Sequence, residues 1–108
     1  MENTAMKQLK DKAMLEKAMQ EGQNILYFTA EWCRDCRYIE PAMPEIATEF
    51  PEWTMIKIDA DQWMDEMLEL EVRGIPSFVA FKDGKEVGRF SNRNRKTKEQ
   101  IVEFISQL

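Results

Sequence analysis

Two cysteines, Cys33 and Cys36, are the only thiols in the sequence, and they lie three positions apart in the segment AEWCRDCRYIEP. The apolar run that ends at Ala30 predicts a buried strand, and the residues after it predict a helix that begins near Cys33. A helix N-terminus has unpaired amide groups that favour an anion such as a thiolate. Cysteines at this spacing lie on one helical face, with Cα atoms ~5 to 6 Å apart, a separation that a disulfide accepts. The pair can therefore interconvert between a dithiol and a disulfide.

The surrounding charges predict different roles for the two thiols. Only a thiolate attacks a disulfide, and nearby cations or a helix N-terminus lower the pKa of a thiol. Cys33 is therefore the predicted nucleophile, with Arg34 and Arg37 assisting its ionisation and Asp35 opposing it. Cys36 is the predicted resolving thiol, which attacks Cys33 and releases the reduced substrate.

Two other uses of the Cys-x-x-Cys pair remain open. A structural disulfide across so short a loop restrains the unfolded chain least, and a reducing cytosol would not maintain it. Two thiolates at this spacing can also form half of a zinc or iron-sulfur site. The sequence has neither histidine nor a second cysteine pair, so a four-ligand site would need a dimer or carboxylates. Redox chemistry without a metal or other cofactor is favoured over a shared metal site and over an inert pair.

Composition predicts a single domain over residues 1–108, because a chain of 108 residues can bury a core without many disulfides. A net charge of -5 argues against nucleic acid as a partner, since duplex binding relies on Lys and Arg. No apolar run is long enough to cross a bilayer, so no membrane association is predicted. The N-terminal segment is too polar for a secretory signal, and we expect a cytoplasmic protein.

Helical and strand patterns alternate in the order β-α-β-α-β-α-β-β-α, which is typical of an α/β sandwich. Ile25–Ala30 predicts a strand that is buried on both faces. Between Cys33 and Phe50 apolar residues recur at helical spacing, although Pro41 and Pro44 must bend or interrupt that helix.

Local signals predict turns and helix ends. Ala5–Gly22 could form one helix, or a short edge strand around Leu9–Asp11 could precede a helix capped by Asp11, which is the interpretation we prefer. The pair Asp83-Gly84 between two apolar runs predicts a β-hairpin. Thr97 and Gln100 predict a capping box before a closing amphipathic helix.

The WCRDC segment after a buried strand and the segment Gly74-Ile75-Pro76-Ser77 before a later one together resemble the thioredoxin family, most closely its small bacterial cytoplasmic members. The resemblance extends from about Ile25 to Leu108. It implies a three-layer α/β sandwich with a central mixed β-sheet flanked by helices on both faces. It also implies a thiol-disulfide oxidoreductase that reduces disulfide-containing proteins as a monomer and is itself reduced by a thioredoxin reductase or another dithiol donor.

The resemblance implies roles for residues around the thiols. Trp32 corresponds to a tryptophan that packs beside the nucleophile, and Pro76 corresponds to a cis-proline that faces the disulfide. A proline has no amide hydrogen to donate to the sulfurs, and its cis bond exposes the preceding backbone to an extended substrate. Ile75 would pair with that substrate, and Gly74 precedes it. The expected substrate-binding residues are therefore Trp32, Gly74, Ile75 and Pro76.

The sequence departs from the family pattern at several positions. Tyr27 and Met55 replace a buried aspartate and a lysine, so the usual base for the resolving cysteine is missing and this site is expected to pack as hydrocarbon. We expect Asp35 or water to act as the base instead. The dipeptide Arg34-Asp35 replaces Gly-Pro between the cysteines, and the excess of arginine around it predicts a more oxidising pair. A loop glycine of the family corresponds to Asn92 or a neighbouring residue.

A second hypothesis is a redox-sensing or adaptor module that binds a partner through Trp32, Ile75 and a basic loop without efficient turnover. The combination of two cysteines with a proline opposite them favours the enzyme. The cationic residues near the C-terminus are expected to form a solvated face, with an acidic-substrate docking role as the less favoured interpretation. They are Arg89, Arg93, Arg95, Lys96 and Lys98.

Overall fold

A computed structural model describes residues 6–91 and 94–108, and five strands in these ranges form one mixed sheet. The strands are β1 (Met6–Gln8), β2 (Gln23–Thr29), β3 (Thr54–Asp59), β4 (Ser77–Lys82) and β5 (Lys85–Phe90). They pair in the order β1-β3-β2-β4-β5. β3 is parallel to both β1 and β2, whereas β4 is antiparallel to both β2 and β5.

Helices cover both faces of this sheet. They are α1 (Lys12–Gln20), α2 (Arg34–Ile39), α3 (Met43–Glu49), α4 (Met64–Glu69) and α5 (Lys98–Ser106), with a 3-10 turn at Glu40–Ala42. Among the described residues, none of these helices is long and apolar enough to cross a bilayer.

The central strand β2 is buried on both faces, as its apolar sequence predicts. Successive residues of a strand point to opposite faces of the sheet. Leu26 and Phe28 pack in the core on the side of α1 and α4, whereas Ile25 and Tyr27 pack in the core on the side of α2, α3 and α5. All four side chains are fully buried. The predicted three-layer sandwich with a central mixed sheet is therefore confirmed.

The N-terminal segment forms a strand followed by a helix, but the strand is not where the sequence places it. β1 covers Met6–Gln8 rather than Leu9–Asp11. The Leu9 amide still donates to the Lys57 carbonyl at 2.9 Å, and the chain then leaves the sheet. It must leave there because Asp11 is the N-cap of α1, in the predicted position, and accepts an amide hydrogen bond from the first helical turn.

Prolines divide the predicted helix after the cysteines into α2, the 3-10 turn and α3. Pro41 lies in the first residues of the 3-10 turn and Pro44 in the first residues of α3, where a missing amide donor costs little. α2 is consequently only 6 residues long. Its first turn contains Cys36, and its C-cap is Glu40.

Both remaining local predictions are confirmed. Asp83 and Gly84 form the turn between β4 and β5, with φ values of 51° and 89°. The Thr97 hydroxyl accepts from the Gln100 amide at 3.2 Å, while the Gln100 side chain accepts from the Thr97 amide at 3.0 Å. This capping box begins α5.

We predict that Thr97→Ala lowers the free energy of unfolding by about 1 kcal/mol, because it removes the side-chain acceptor at the start of α5. Thr97→Ser retains a hydroxyl at that position and should stay close to the parent protein. Urea denaturation followed by circular dichroism measures both variants. Equal losses for alanine and serine would show that the capping hydrogen bond does not stabilise this helix.

Candidate active site

Cys33 and Cys36 lie at the start of α2, which follows the C-terminal end of β2 after a short turn. Cys33 is the N-cap residue, and its sulfur accepts a hydrogen bond from the Cys36 amide at 3.2 Å. The Cys33 amide in turn donates to the Ala30 carbonyl at 3.3 Å, which fixes the turn between strand and helix. Both cysteines are free thiols in this structure. The arrangement directs a backbone donor at the Cys33 sulfur, and such a donor stabilises a thiolate there.

The two thiols differ in their surroundings. Cys33 is 7% exposed and Cys36 only 1%. Burial raises the pKa of Cys36 to about 11, and a hydrogen bond with Cys33 adds to the rise. The hydroxyl of Thr29 and the backbone of Ala30 act in the opposite direction. Cys36 is therefore a protonated thiol at neutral pH, and it must lose a proton before it can act as a nucleophile.

The segment before β4 lies against Cys33. The Ile75–Pro76 peptide bond is cis, and the Cys33 thiol donates to the Ile75 carbonyl over 3.8 Å. Pro76 is buried, whereas Gly74 and Ile75 are partly exposed. The Gly74 carbonyl accepts a hydrogen bond from the Ser77 hydroxyl, which ties this segment to the start of β4. Three of the four residues expected to bind substrate are thus brought together beside the first sulfur.

Trp32, the fourth of these residues, lies on the surface. Its side chain is 64% exposed, and its indole nitrogen donates to the Asp61 carboxylate at 2.8 Å. The hydrogen bond holds the ring at the loop that follows β3, and the sequence places it next to Cys33. An exposed aromatic ring at this position can contact a partner molecule.

The charged residues around the two cysteines differ in their exposure and in their partners. Arg34 and Arg37 are exposed, whereas the Asp35 carboxylate accepts a hydrogen bond from the Arg95 guanidinium at 3.0 Å. Arg95 also lies over the ring of Tyr38, 4.4 Å from its centroid. Asp35, which the sequence suggested as a base, is therefore engaged in an ion pair with a residue of the C-terminal basic segment.

Lys96 corrects the expectation of a wholly solvated basic face. It is fully buried, and its ammonium donates to the Asn94 carbonyl at 3.2 Å and lies 5.1 Å from the centroid of the Phe90 ring. Burial lowers the pKa of Lys96, while negative charge at Cys36, Asp35 and Cys33 opposes that shift. The buried ammonium of Lys96 therefore adds a positive charge near Cys33, Asp35 and Cys36. Asn92 and Arg93, also named from the sequence, lie outside the described residues.

The ring of Tyr27 packs in the core, but its hydroxyl does not lie in a hydrocarbon environment, which corrects a second expectation. Its hydroxyl donates to one Glu40 carboxylate oxygen at 2.7 Å, and the Lys57 ammonium donates to the other oxygen at 2.7 Å. Met55 does pack as hydrocarbon, at 1% exposure in the core on the α3 side. Because the side chain of Lys57 is two residues further along β3, it lies on the same face of the sheet as Met55.

Glu40 and Lys57 belong to no motif, yet the sequence contains a signal for each. Glu40 follows Cys36 by four residues, and this spacing places two side chains on one face of a helix. Lys57 pairs in register with Tyr27 across β2 and β3, so both side chains project to one face. Tyr27, Glu40 and Lys57 thus form a polar cluster. Predicting this cluster from the sequence would have required the register between β2 and β3.

A cleft of about 350 Å³ opens beside Cys36. Its lining residues are Gln8, Thr29, Ala30, Glu31, Cys36, Arg37, Glu40, Lys57 and Asp59. Four of these carry carboxylate or ammonium groups near a thiol that must be deprotonated. Within residues 6–91 and 94–108 no group of three or more Cys, Asp or Glu side chains has the arrangement of a metal site.

Comparison with known proteins identifies relatives of this chain. The family described as Thioredoxin matches residues 5–107. Thioredoxin of Mycoplasmoides gallisepticum is 35% identical over 81 residues, which are 74% of this chain and 81% of that protein. Thioredoxin-3 of Dictyostelium discoideum is 32% identical over 89 residues, covering 82% of this chain and 86% of the relative.

Solved structures give the same result. Fasciola hepatica thioredoxin superposes with a TM-score of 0.79 at 36% identity, covering 94% of this chain and 98% of that chain. Thioredoxin from Trypanosoma brucei brucei superposes with a TM-score of 0.86 at 25% identity, covering 98% and 92%. The sheet order, the free Cys33–Cys36 pair at a helix start and these relatives agree. The chain therefore belongs to the thioredoxin family and is a thiol-disulfide oxidoreductase with a redox-active Cys-x-x-Cys pair.

Proposed function

We propose that Cys33 is the nucleophile and Cys36 the resolving thiol in the reduction of protein disulfides. The observation that carries this assignment is the hydrogen bond from the Cys36 amide to the Cys33 sulfur, together with the raised pKa of Cys36. The sulfur that receives a backbone donor is the better site for negative charge. Cys36, a residue that is 1% exposed against 7% for Cys33, is less accessible to a substrate.

The first step takes place at the surface formed by Cys33 and the segment before Pro76. The Cys33 thiolate attacks one sulfur of a substrate disulfide, and the substrate's other sulfur leaves with the electron pair as a thiolate. An extended substrate chain lies along the backbone at Gly74 and Ile75, while the exposed ring of Trp32 contacts its side chains. The product is a mixed disulfide between Cys33 and the substrate.

The second step closes the Cys33–Cys36 disulfide. Cys36 loses its proton and attacks the Cys33 sulfur, and the second substrate sulfur leaves as a thiolate. Two electrons have then moved from the protein to the substrate. The protein acts as a monomer of a single domain over residues 1–108, in the cytoplasm, and a thioredoxin reductase or another dithiol donor returns the electrons.

We predict that Cys33→Ser abolishes turnover, whereas Cys36→Ser leaves a protein that accumulates mixed disulfides with its substrates. Attack needs only Cys33, but release needs Cys36. Insulin reduction coupled to NADPH and a thioredoxin reductase measures turnover, and non-reducing mass spectrometry detects the trapped adduct. If Cys36→Ser reacted no faster with a small disulfide than Cys33→Ser, the two assignments would be wrong.

We predict that Arg95→Gln makes the redox potential more negative by about 5 to 20 mV, the size expected for one surface ion pair. Without Arg95 the Asp35 carboxylate is unpaired beside the thiols, so it destabilises a Cys33 thiolate and with it the reduced form. Equilibration with glutathione measures the potential. Lys98→Gln is the matched control, because it removes a cation that pairs with Glu45 instead. Equal shifts in the two variants would contradict a local effect of Arg95.

A further inference from the structure

The resolving thiol needs a proton acceptor, and Tyr27 does not provide one. Burial raises the pKa of the Tyr27 phenol above its ordinary value, so the phenol is neutral at physiological pH. Its proton is also directed away, because the hydroxyl donates to Glu40. The acceptor for the Cys36 proton must therefore be another group that reaches the same space.

Glu40 lies one helical turn beyond Cys36. The Glu40 backbone amide donates to the Cys36 carbonyl, so the i, i+4 relation of an α-helix holds between the two residues. Side chains in this relation are neighbours on the helix surface, with Cβ atoms ~5 to 6 Å apart. Both side chains line the same cleft of about 350 Å³. One liquid water occupies ~30 Å³, so the cleft can hold bridging water between thiol and carboxylate.

Two further residues hold the Glu40 carboxylate at the cleft. Tyr27 on β2 binds one oxygen and Lys57 on β3 binds the other, each at 2.7 Å. Tyr27 is itself fixed by a stacked contact with Phe78, whose ring centroid is 5.1 Å away. The Thr29 hydroxyl lowers the pKa of both Tyr27 and Cys36, so it is close to both side chains. The carboxylate is thus positioned by side chains from two strands.

We propose that Glu40 accepts the Cys36 proton, through water in the cleft, when Cys36 attacks the mixed disulfide. Tyr27 and Lys57 are positioning residues that act through the Glu40 carboxylate. The inference rests on the proposed roles of Cys33 and Cys36.

The step is balanced in atoms and electrons. The Cys36 proton passes to water as a water proton passes to the Glu40 carboxylate. The freed electron pair of the Cys36 sulfur forms the bond to Cys33, and the bond between Cys33 and the substrate sulfur breaks. The electron pair of the broken bond leaves with the substrate sulfur, which becomes a thiolate. When a donor reduces the Cys33–Cys36 disulfide, Glu40 returns the proton to Cys36 as the Cys36 thiolate leaves.

Besides Glu40, the carboxylates of Glu31 and Asp59 also line the cleft. Glu31, Arg37 and Asp59 complete its charged lining besides Lys57. Asp59 accepts the Asp61 amide at 2.9 Å through one carboxylate oxygen, and Glu31 is exposed. Asp59 is therefore the alternative acceptor that an experiment must distinguish from Glu40.

The reaction of the reduced protein with 5,5′-dithiobis(2-nitrobenzoate) separates the two chemical steps. Attack by Cys33 releases a first coloured thiolate and leaves a mixed disulfide, and resolution by Cys36 releases a second. Stopped-flow absorbance between pH 5.5 and 9 therefore gives a rate for each step. The first phase reports on the proposed function, whereas the second reports on the proton acceptor. If Cys33 were not the nucleophile, the Cys33→Ser variant would retain a normal first phase.

For Glu40→Gln we expect a second phase that is at least ~10-fold slower at pH 7, because a general base contributes ~10²-fold or more. Its rate should rise tenfold per pH unit, since hydroxide must replace the carboxylate below the Cys36 pKa of about 11. The first phase should stay within about twofold. Glu40→Asp should recover part of the rate, and Tyr27→Phe should slow the second phase less than Glu40→Gln does, without the new pH slope.

Glu45→Gln is the matched control, because it makes the same chemical change on α3 at an exposed residue and should leave both phases unchanged. An unchanged second phase and pH slope in Glu40→Gln would overturn the proposal. The proposal would equally fail if Asp59→Asn, rather than Glu40→Gln, produced the new pH slope. Loss of both phases in a folded Glu40→Gln variant would also count against it, because that result indicates a general effect on the site.

Discussion

The hydrogen bond from the Cys36 amide to the Cys33 sulfur, at 3.2 Å, makes two chemically identical side chains unequal. It exists because β2 ends at Thr29 and the chain turns directly into α2, with Cys33 as the N-cap. The rest of the site follows from that turn. The Cys33 sulfur lies against the Ile75 carbonyl in a residue that is 7% exposed, while Cys36 is only 1% exposed and has a pKa of about 11.

Burial of Cys36 creates a chemical requirement that the polar cluster beneath it can meet. A buried thiol resists ionisation, so its reaction depends on where its proton goes. In this chain Tyr27 and Met55 occupy the strand positions where the resemblance to the family implies an aspartate and a lysine. The carboxylate is instead supplied from the end of α2 by Glu40, and the cation from β3 by Lys57. Because Lys57 is two residues from Met55 along β3, its side chain projects from the same face of the sheet.

Local signals in the sequence predict most of the fold, because each depends on residues close together in the chain. The cysteine spacing, the Asp83-Gly84 turn and the Thr97 capping box are of this kind, and so is the interruption of the helix at its prolines. The predicted position of β1 was wrong because an edge strand of three residues is too short to show a clear alternation of apolar and polar residues.

Local sequence signals could not predict contacts between residues that are far apart in the chain. The ion pair of Asp35 with Arg95 joins residues 60 positions apart. Lys96 is buried although it lies in a run of charged residues, because the segment before α5 folds against Phe90. The hydrogen bonds of Glu40 with Tyr27 and Lys57 require the pairing of β2 with β3 and the place where α2 ends. Each depends on tertiary structure rather than on local propensity.

The structure holds Cys36 as a protonated thiol beside a Cys33 sulfur that accepts a backbone hydrogen bond. Titration of protein labelled with ¹³C at the cysteine Cβ atoms, followed by NMR, reports the protonation state of each thiol separately. We predict that the Cys36 resonance changes little through neutral pH and titrates near pH 11. A Cys36 resonance that titrates at or below the ordinary thiol pKa of 9.0 would show that the fold does not hold Cys36 in its protonated form.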